Sequence, residues 1–326
     1  MTRRMTGGVA VLVIALLSGA KGSAVSARAP IPDLPAAGTA APGTTEQHHY
    51  MMSARVRPLL FWIGRSNVGD AIVTRAAAPH ETRYSLLIGS DPDRAPRRLN
   101  RWGYIEERIH GDAATIVGLM TESDEKSVEE AETNLRREGR GGHTFKVIHA
   151  AIDAEQSRSV VTAVAAPADY SFHQVRAVLA LASDGGTPGH STVVRLPPGT
   201  RPGFLSALAE IIHAQAESAR AGTLHAGAPL TYVYHGKFYE LRGTSVQLKP
   251  TLEVNSSRYA RVVSAQFVTK SRNDGEETRF ALSYAIDGRL AEVPLTMSYQ
   301  PRWWMQVNLV LADDVDSPLM GGLDRN

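Results

Sequence analysis

The sequence predicts an α+β fold, in which an N-terminal mixed β/α region with about three helices precedes a C-terminal antiparallel β-meander. Two observations support this assignment. Helical periodicity with capping residues occurs before residue 229, and strict alternation of apolar and polar residues follows it. The meander could form an open sheet, one half of a sandwich or a partial barrel, because alternation reveals one apolar face but not what covers that face.

The strongest strand signals lie in the C-terminal part. Phe280 to Ile286 and Ala291 to Tyr299 both alternate strictly, and Asp287-Gly288 separates them. An Asp-Gly pair between alternating runs is typical of a β-hairpin, because a type I′ turn requires positive φ at both central residues. Two further dipeptides, Asp274-Gly275 and His235-Gly236, indicate turns, so we expect about six strands here.

Three N-terminal segments have helical periodicity and a capping residue. The first runs from Ser123 to Gly139, with acidic residues in its first turn and arginines in its last, as the helix dipole favours. The second begins at Ser171 and extends through Ala182. The third is capped by Thr200. The residues expected on its buried side are Phe204, Leu208, Ile211 and Gln215.

The apolar runs that precede and separate these helices have the length of strands. Turn residues between the first three runs indicate a short meander. The runs cover residues 59–64, 71–75, 84–88, 113–120, 145–152, 160–165 and 192–196.

The first residues are typical of a secretory signal peptide. Arg3 and Arg4 precede an apolar stretch from Val9 to Leu17, and the small residues that end at Ala27 fit a signal-peptidase site. The apolar stretch is shorter than the roughly 20 residues that a membrane-spanning helix needs. We therefore expect cleavage near Ala27, an extracytoplasmic (periplasmic or secreted) protein and no transmembrane segment in the mature chain. Sec and twin-arginine export both stay open, and an uncleaved anchor is the alternative.

Composition then divides the remaining chain. Residues 28–51 are rich in Pro, Ala, Gly and Thr and predict a flexible linker. An α+β domain is expected over residues 52–225, an antiparallel β domain over residues 229–314, and a flexible tail over residues 315–326.

Charge and cysteine content exclude several chemistries. Loss of Arg3, Arg4 and Lys21 with the signal peptide changes the formal net charge from +2 to −1, so the mature protein lacks the positive field that favours nucleic acid. The chain has no cysteine. Disulfides, thiolate nucleophiles, Cys-ligated zinc and iron–sulfur clusters are therefore excluded. The sequence contains no motif that predicts a bound metal or another cofactor.

The segment LLIGSDPDRAPRRLNR at residues 86–101 combines carboxylates and guanidinium groups. Asp91 and Asp93 could clamp a metal diphosphate, but Pro92 between them favours a turn in which the aspartates accept hydrogen bonds from nearby backbone amides. The arginines are the better functional candidates, since guanidinium groups bind carboxylate or phosphate and an adjacent ring can stack on sugars. The candidate anion-binding residues are Arg94, Arg97, Arg98, Arg101 and Trp102.

Trp303 and Trp304 are the second candidate binding feature. They are neighbours in the last predicted strand, so their side chains should point to opposite faces. One would then belong to the core. The other could form an exposed aromatic platform for a carbohydrate or a lipid.

These observations predict an exported protein that binds a component of the cell envelope without catalysis. The partner could be an anionic glycan, a lipid or another protein. The alternative is an extracytoplasmic hydrolase whose catalytic residues converge only in the fold. The two differ in one observable, because a binding protein should have an apolar cavity or an arginine-and-aromatic strip, whereas a hydrolase should have convergent titratable side chains.

Overall fold

The computed structural model describes residues 44–57, 62–95, 98–121, 143–302 and 305–312, together with Thr133. This part of the chain forms one 14-stranded antiparallel sheet and two α-helices. The helices are α1 (Val175–Gly185), which follows a 3₁₀ turn at Phe172–Gln174, and α2 (Phe204–Arg220). The strands are β1 (Thr44–Val56), β2 (Ile63–Ala78), β3 (Glu81–Ser90), β4 (Trp102–His110), β5 (Ala113–Thr121), β6 (His143–Ile152), β7 (Gln156–Ala166), β8 (Thr187–Arg195), β9 (Leu230–Tyr234), β10 (Lys237–Val254), β11 (Ser257–Ser271), β12 (Glu277–Ala285), β13 (Pro294–Arg302) and β14 (Met305–Leu311).

The sheet consists of two meanders that meet at its centre. Strands β1 to β8 pair consecutively in one direction, and strands β14 back to β9 pair consecutively in the other. The first and last strands join the two halves, with Tyr50 opposite Leu311 and Val56 opposite Met305. The outer strands of the whole sheet are therefore β8 and β9, which are neighbours in sequence and flank α2.

The predicted α+β architecture is wrong. The N-terminal region is not a mixed β/α region with about three helices, because its strands continue the same antiparallel sheet as the C-terminal meander. The second and third predicted helices are confirmed as α1 and α2, and the first, from Ser123, lies outside the described residues. Local periodicity could not reveal the β1–β14 pairing, since it joins residues more than two hundred positions apart.

The strands of the two predicted domains, residues 52–225 and 229–314, all belong to this one sheet. Strand β1 begins at Thr44, so residues 44–51 of the predicted linker are strand as well. The side chains of residues 44–47 are exposed, and the strand then reaches the fully buried Tyr50, which packs in the main core. The predicted signal peptide (1–27) and tail (315–326) lie outside the described residues.

Helix α1 covers the outer face of the N-terminal half of the sheet. Its approach is fixed by Ser171, whose backbone N–H donates to Oε1 of Gln174 at 2.9 Å. Val178 and Ala182 of the helix then pack with Trp102 and Phe145 in a second core. None of the helices in the described part of the chain has both the length and the apolar character needed to cross a membrane.

Helix α2 packs on the inner face, and the sheet curls around it. The helix contacts β3 of the N-terminal half and β9, β10 and β11 of the C-terminal half. Its buried side contains Phe204, Leu208, Ile211 and Gln215, as the sequence predicts. These side chains belong to one core that draws residues from both halves of the sheet.

The two outer strands come close to each other around α2. Arg201 pairs in parallel with Tyr232 of β9, through an Arg201 N–H donated to the Thr231 carbonyl at 2.7 Å. The β9–β10 turn reaches β8, where the rings of His235 and His190 have centroids 5.8 Å apart. The sheet therefore encloses α2 on most sides rather than lying flat on a helical layer.

The predicted turns are confirmed at two of three positions. His235 and Gly236 have φ of 51° and 66°, as a type I′ turn between β9 and β10 requires. Asp274-Gly275 connects β11 and β12, with φ of 74° at Gly275. The prediction of a two-residue hairpin loop at Asp287-Gly288 is wrong. Phe280 lies opposite Tyr299 and Tyr284 lies opposite Pro294, so the connection between β12 and β13 is longer than two residues.

Candidate functional site

A cleft of about 920 Å³ lies between α2 and the inner face of the sheet. One wall comes from the strands, including Val73 of β2, Ile109 of β4 and Ile152 of β6, and the other from α2, including Leu208 and Ile212. These side chains are apolar, and polar residues of the strands, such as Thr74 and Ser85, line other parts of the same space. Residues 196–202 and residues 291–294 also line the space. We call this space the α2 cleft.

The start of α2 is fixed by a buried carboxylate from the sheet. Glu107 of β4 has no solvent-exposed surface, and its Oε1 and Oε2 accept the backbone N–H groups of Leu205 at 2.7 Å and Ser206 at 2.9 Å. Gly203 permits this approach, since a Cβ there would lie 2.2 Å from the Glu107 carboxyl carbon. Burial raises the pKa of Glu107 and the helix amides counteract that shift.

The sequence prediction of the third helix was therefore right about its buried side and wrong about its cap. The Thr200 hydroxyl donates to the Pro197 carbonyl at 2.7 Å instead of capping the helix. The cap comes from Glu107, which lies far away in sequence. The sequence did contain a signal for this cap. Glu107 alternates in register with Ile105 and Ile109, whose side chains face the core, and an acidic residue at such a position is exceptional.

The other end of α2 is held by buried polar side chains. The Tyr284 hydroxyl of β12 donates to Oε1 of Gln215 at 2.6 Å, and Nε2 of Gln215 donates to the Ala226 carbonyl at 2.7 Å. Both side chains are fully buried. The helix is thus anchored near both ends by buried hydrogen bonds.

Charged side chains form the rim of the cleft. Arg201 and Glu210 make a two-pronged ion pair, with Nη2 of Arg201 2.6 Å from Oε1 of Glu210. His213 Nδ1 lies 3.0 Å from Glu292, whose backbone φ of 66° is rare for a residue with a side chain. The charges of these four rim residues are therefore paired with one another.

Within the described residues, His213, Glu217 and Glu292 form a group whose ligand atoms lie within 4.8 Å of one another. Arg220 already pairs with both carboxylates, at 3.1 Å to Oε1 of Glu292 and closer to Glu217. His213 and Glu217 are also largely exposed. A metal ion would have to displace this guanidinium, so the arrangement is a surface ion-pair network.

The predicted arginine site is dispersed in the structure. Arg94 is bound to the carboxylates of Asp70 and Asp91, and Arg98 is exposed and lies 3.4 Å from Asp93. Arg101 donates its backbone N–H to the Ser90 hydroxyl at 2.9 Å, while Arg97 lies outside the described residues. Arg94 in particular is a structural brace, and the described arginines do not converge on one anion.

The aspartates of this segment form the turn that the sequence favours over a metal clamp. Oδ1 of Asp91 accepts the Asp93 N–H at 2.9 Å, and Nε of Arg94 donates to its other oxygen at 2.7 Å. Burial would raise the pKa of Asp91, but these hydrogen bonds outweigh it and lower the pKa.

The predicted aromatic positions do not form a ligand surface in the described part of the chain. Trp102 has no exposed surface, and its ring lies 4.8 Å from that of Phe145 in the outer core. Gly89 on the neighbouring strand leaves room for this side chain, since a Cβ at position 89 would lie only 2.6 Å from the Cβ of Trp102. Trp303 and Trp304 lie outside the described residues.

Comparison of this chain with protein-family models, with curated proteins and with solved structures finds no match.

Proposed function

We propose that this protein is an exported, non-catalytic binding protein that holds an amphipathic, lipid-like molecule of the cell envelope in the α2 cleft. The observation that carries the proposal is the cleft itself. Its volume of about 920 Å³ falls in the range of small-molecule sites, about 300–1,000 Å³. The signal-like pattern of residues 1–27 supports the exported part of the proposal.

The chemistry of the cleft favours an apolar body with a polar end. Val73, Ile109 and Ile152 face Leu208 and Ile212 across it, so an acyl chain or a similar group would be removed from water. The rim offers paired charges, such as Arg201 with Glu210, that can rearrange around a headgroup.

The test uses a fluorescent long-chain fatty acid and two matched alanine-to-tryptophan variants. Ala209 is half-buried on the cleft side of α2, and Ala177 is exposed on α1. Ala209→Trp should weaken probe binding by about tenfold or more, because the indole ring occupies space in the cleft that the acyl chain of the probe would otherwise fill. Ala177→Trp should leave probe binding unchanged. The smaller change Ala209→Leu should have an intermediate effect.

Absence of saturable probe binding to the wild-type protein would contradict the proposal. Equal binding by wild type and Ala209→Trp would contradict the location of the site. Thermal unfolding of each variant shows whether the fold is intact, and mass spectrometry of organic extracts identifies lipid that co-purifies with the protein.

The hydrolase alternative needs a nucleophile beside a base in the same cleft. Ser206 lies in the cleft lining, but its hydroxyl donates to the Gly203 carbonyl at 3.2 Å. His213 is directed to Glu292 on the rim. These contacts favour binding over catalysis as the role of the cleft.

A further inference from the structure

The hairpin formed by β1 and β2 extends beyond the neighbouring strand. Pairing between β2 and β3 stops at Gly69 opposite Ser90, whereas β2 continues back to Ile63 opposite Val56. At about 3.3 Å per residue, the segment from Ile63 to Val68 adds roughly 15–20 Å past the end of β3. We call residues 55–57 and 62–65 the hairpin tip.

The base of this extension has a defined geometry. The register between β1 and β2 shifts between Met52 and Ala54, which is a bulge, and Asn67 opposite this bulge has a φ of 54°. Bulges bend a strand and increase its twist. Arg94 holds the bend from the side, because it donates hydrogen bonds to Asn67 and Asp70. The hairpin therefore points in a fixed direction.

The tip combines exposed apolar and cationic side chains. Trp62 and Ile63 are 39% and 53% exposed, which places them among the most exposed large apolar residues of the described chain. Arg55 and Arg65 are exposed beside them. Within the described residues, no carboxylate lies within ion-pair distance of these two arginines, in contrast to Arg94, Arg201 and Arg220.

This combination matches a lipid surface better than a protein surface. Tryptophan favours the boundary between headgroups and acyl chains, and arginine is attracted to anionic headgroups. A stable protein–protein interface buries about 800 Å² on each partner, which is more than two apolar side chains at a hairpin tip offer. Insertion into a membrane interface requires only a small apolar area together with positive charge.

We propose that the hairpin tip docks the protein on the surface of an anionic lipid bilayer, with Trp62 and Ile63 at the interface and Arg55 and Arg65 on the headgroups. The docking surface is separate from the α2 cleft and does not depend on what the cleft binds.

Flotation with lipid vesicles tests the proposal. The purified protein should float with vesicles of phosphatidylcholine mixed with phosphatidylglycerol, and much less with phosphatidylcholine alone. The double variant Arg55→Gln/Arg65→Gln should bind the mixed vesicles on the order of 25-fold more weakly, at about fivefold for each arginine. Trp62→Ala/Ile63→Ser should weaken binding to both kinds of vesicle by at least roughly tenfold.

Matched controls lie on β7 and β8, at one edge of the sheet, whereas the hairpin tip belongs to the central strands β1 and β2. Val193 on β8 is 54% exposed, like Ile63, so Val193→Ser removes the same kind of surface elsewhere. Arg158 and Arg195 are exposed on β7 and β8, so Arg158→Gln/Arg195→Gln removes the same charge. Both controls should float like the wild type. Thermal unfolding confirms that every variant is folded.

Three results would overturn the proposal: no flotation of the wild type, equal flotation of wild type and tip variants, or equal losses in the tip and control variants. Binding of the fluorescent fatty acid separates this proposal from the function proposed for the cleft. Tip variants should keep full probe affinity, and Ala209→Trp should keep vesicle binding.

Discussion

Glu107 on β4 caps the first turn of α2 by accepting the backbone N–H of Leu205 at 2.7 Å, across 98 positions of sequence. The cap lies inside the core, so water cannot replace it. A carboxylate at a helix N-terminus also interacts favourably with the helix dipole. This contact connects the N-terminal half of the sheet to the helix that forms one wall of the α2 cleft.

We expect Glu107→Ala to reduce the free energy of unfolding by about 2–3 kcal/mol, because two buried N–H groups lose their acceptor. Glu107→Gln should cost less, about 1 kcal/mol, since the amide oxygen still accepts one of these hydrogen bonds. Urea-induced unfolding measures both values. Equal stability of wild type and Glu107→Ala would show that the cap is not important for folding.

Local elements of this fold could be predicted, and the pairing that joins the two halves of the sheet could not. Gln215 and its apolar neighbours were assigned to the buried side of a helix from spacing alone, and the structure confirms them. The pairing of Tyr50 with Leu311 leaves no local pattern, because any alternating strand can pair with any other of similar length. The existence of a cleft depends on that pairing, so the site could not be located in advance.

The burial of Trp102 could not be predicted for a different reason. An aromatic residue after a run of arginines suggests a binding surface, but a single sequence does not show which face of a strand is covered. Helix α1 covers that face, and Phe145 packs against Trp102 there. Burial of a large ring is the more frequent outcome wherever a helix is available to cover it.

His235 predicts a loss of stability at acidic pH. Burial of the ring, reinforced by the nearby charges of His190, Lys237 and Lys146, lowers its pKa from 6.5 to about 4. The unfolded chain therefore binds more protons than the folded one between these values, and stability falls as the pH drops from 6.5 to about 4. The loss is at most about 3 kcal/mol.

His235→Asn should remove this pH dependence. Asparagine does not titrate, and it tolerates the positive φ of 51° at this position better than most residues. The variant turn would have the sequence Asn-Gly, which type I′ turns favour. Unfolding by urea at several pH values measures the slope for wild type and variant. An unchanged slope would show that other groups are responsible, and His80→Asn is the control, as an exposed histidine in a different turn.

Gly118 and Tyr234 form a steric pair on the inner face. A Cβ at Gly118 would lie 2.1 Å from the Tyr234 hydroxyl oxygen, which is itself buried without a hydrogen-bond partner in the described structure. Gly118→Ala should therefore destabilise the protein by about 1–3 kcal/mol through overpacking. Tyr234→Phe alone should be neutral or slightly stabilising, because it removes an unsatisfied buried hydroxyl.

The double variant Gly118→Ala/Tyr234→Phe should recover part of the stability that Gly118→Ala loses, since the atom in conflict is gone. Thermal unfolding of the four proteins gives the coupling between the two sites. If the stability changes of the two single variants simply added in the double variant, a Cβ at position 118 would not be in contact with the Tyr234 hydroxyl.

Tyr284 and Gln215 should also be energetically coupled, here as hydrogen-bond partners rather than as steric competitors. Their hydrogen bond of 2.6 Å is fully buried, and Gln215 also donates to the Ala226 carbonyl. Tyr284→Phe leaves Oε1 of Gln215 without its donor and should cost about 1–3 kcal/mol. Gln215→Leu should cost at least as much, because it leaves both the Tyr284 hydroxyl and the Ala226 carbonyl unpaired.

The double variant Tyr284→Phe/Gln215→Leu should lose less stability than the sum of the single losses, by about 1–2 kcal/mol, since it removes both partners of one hydrogen bond. Urea unfolding of the four proteins measures this difference, and a coupling near zero would show that packing around α2, not this hydrogen bond, holds the end of the helix.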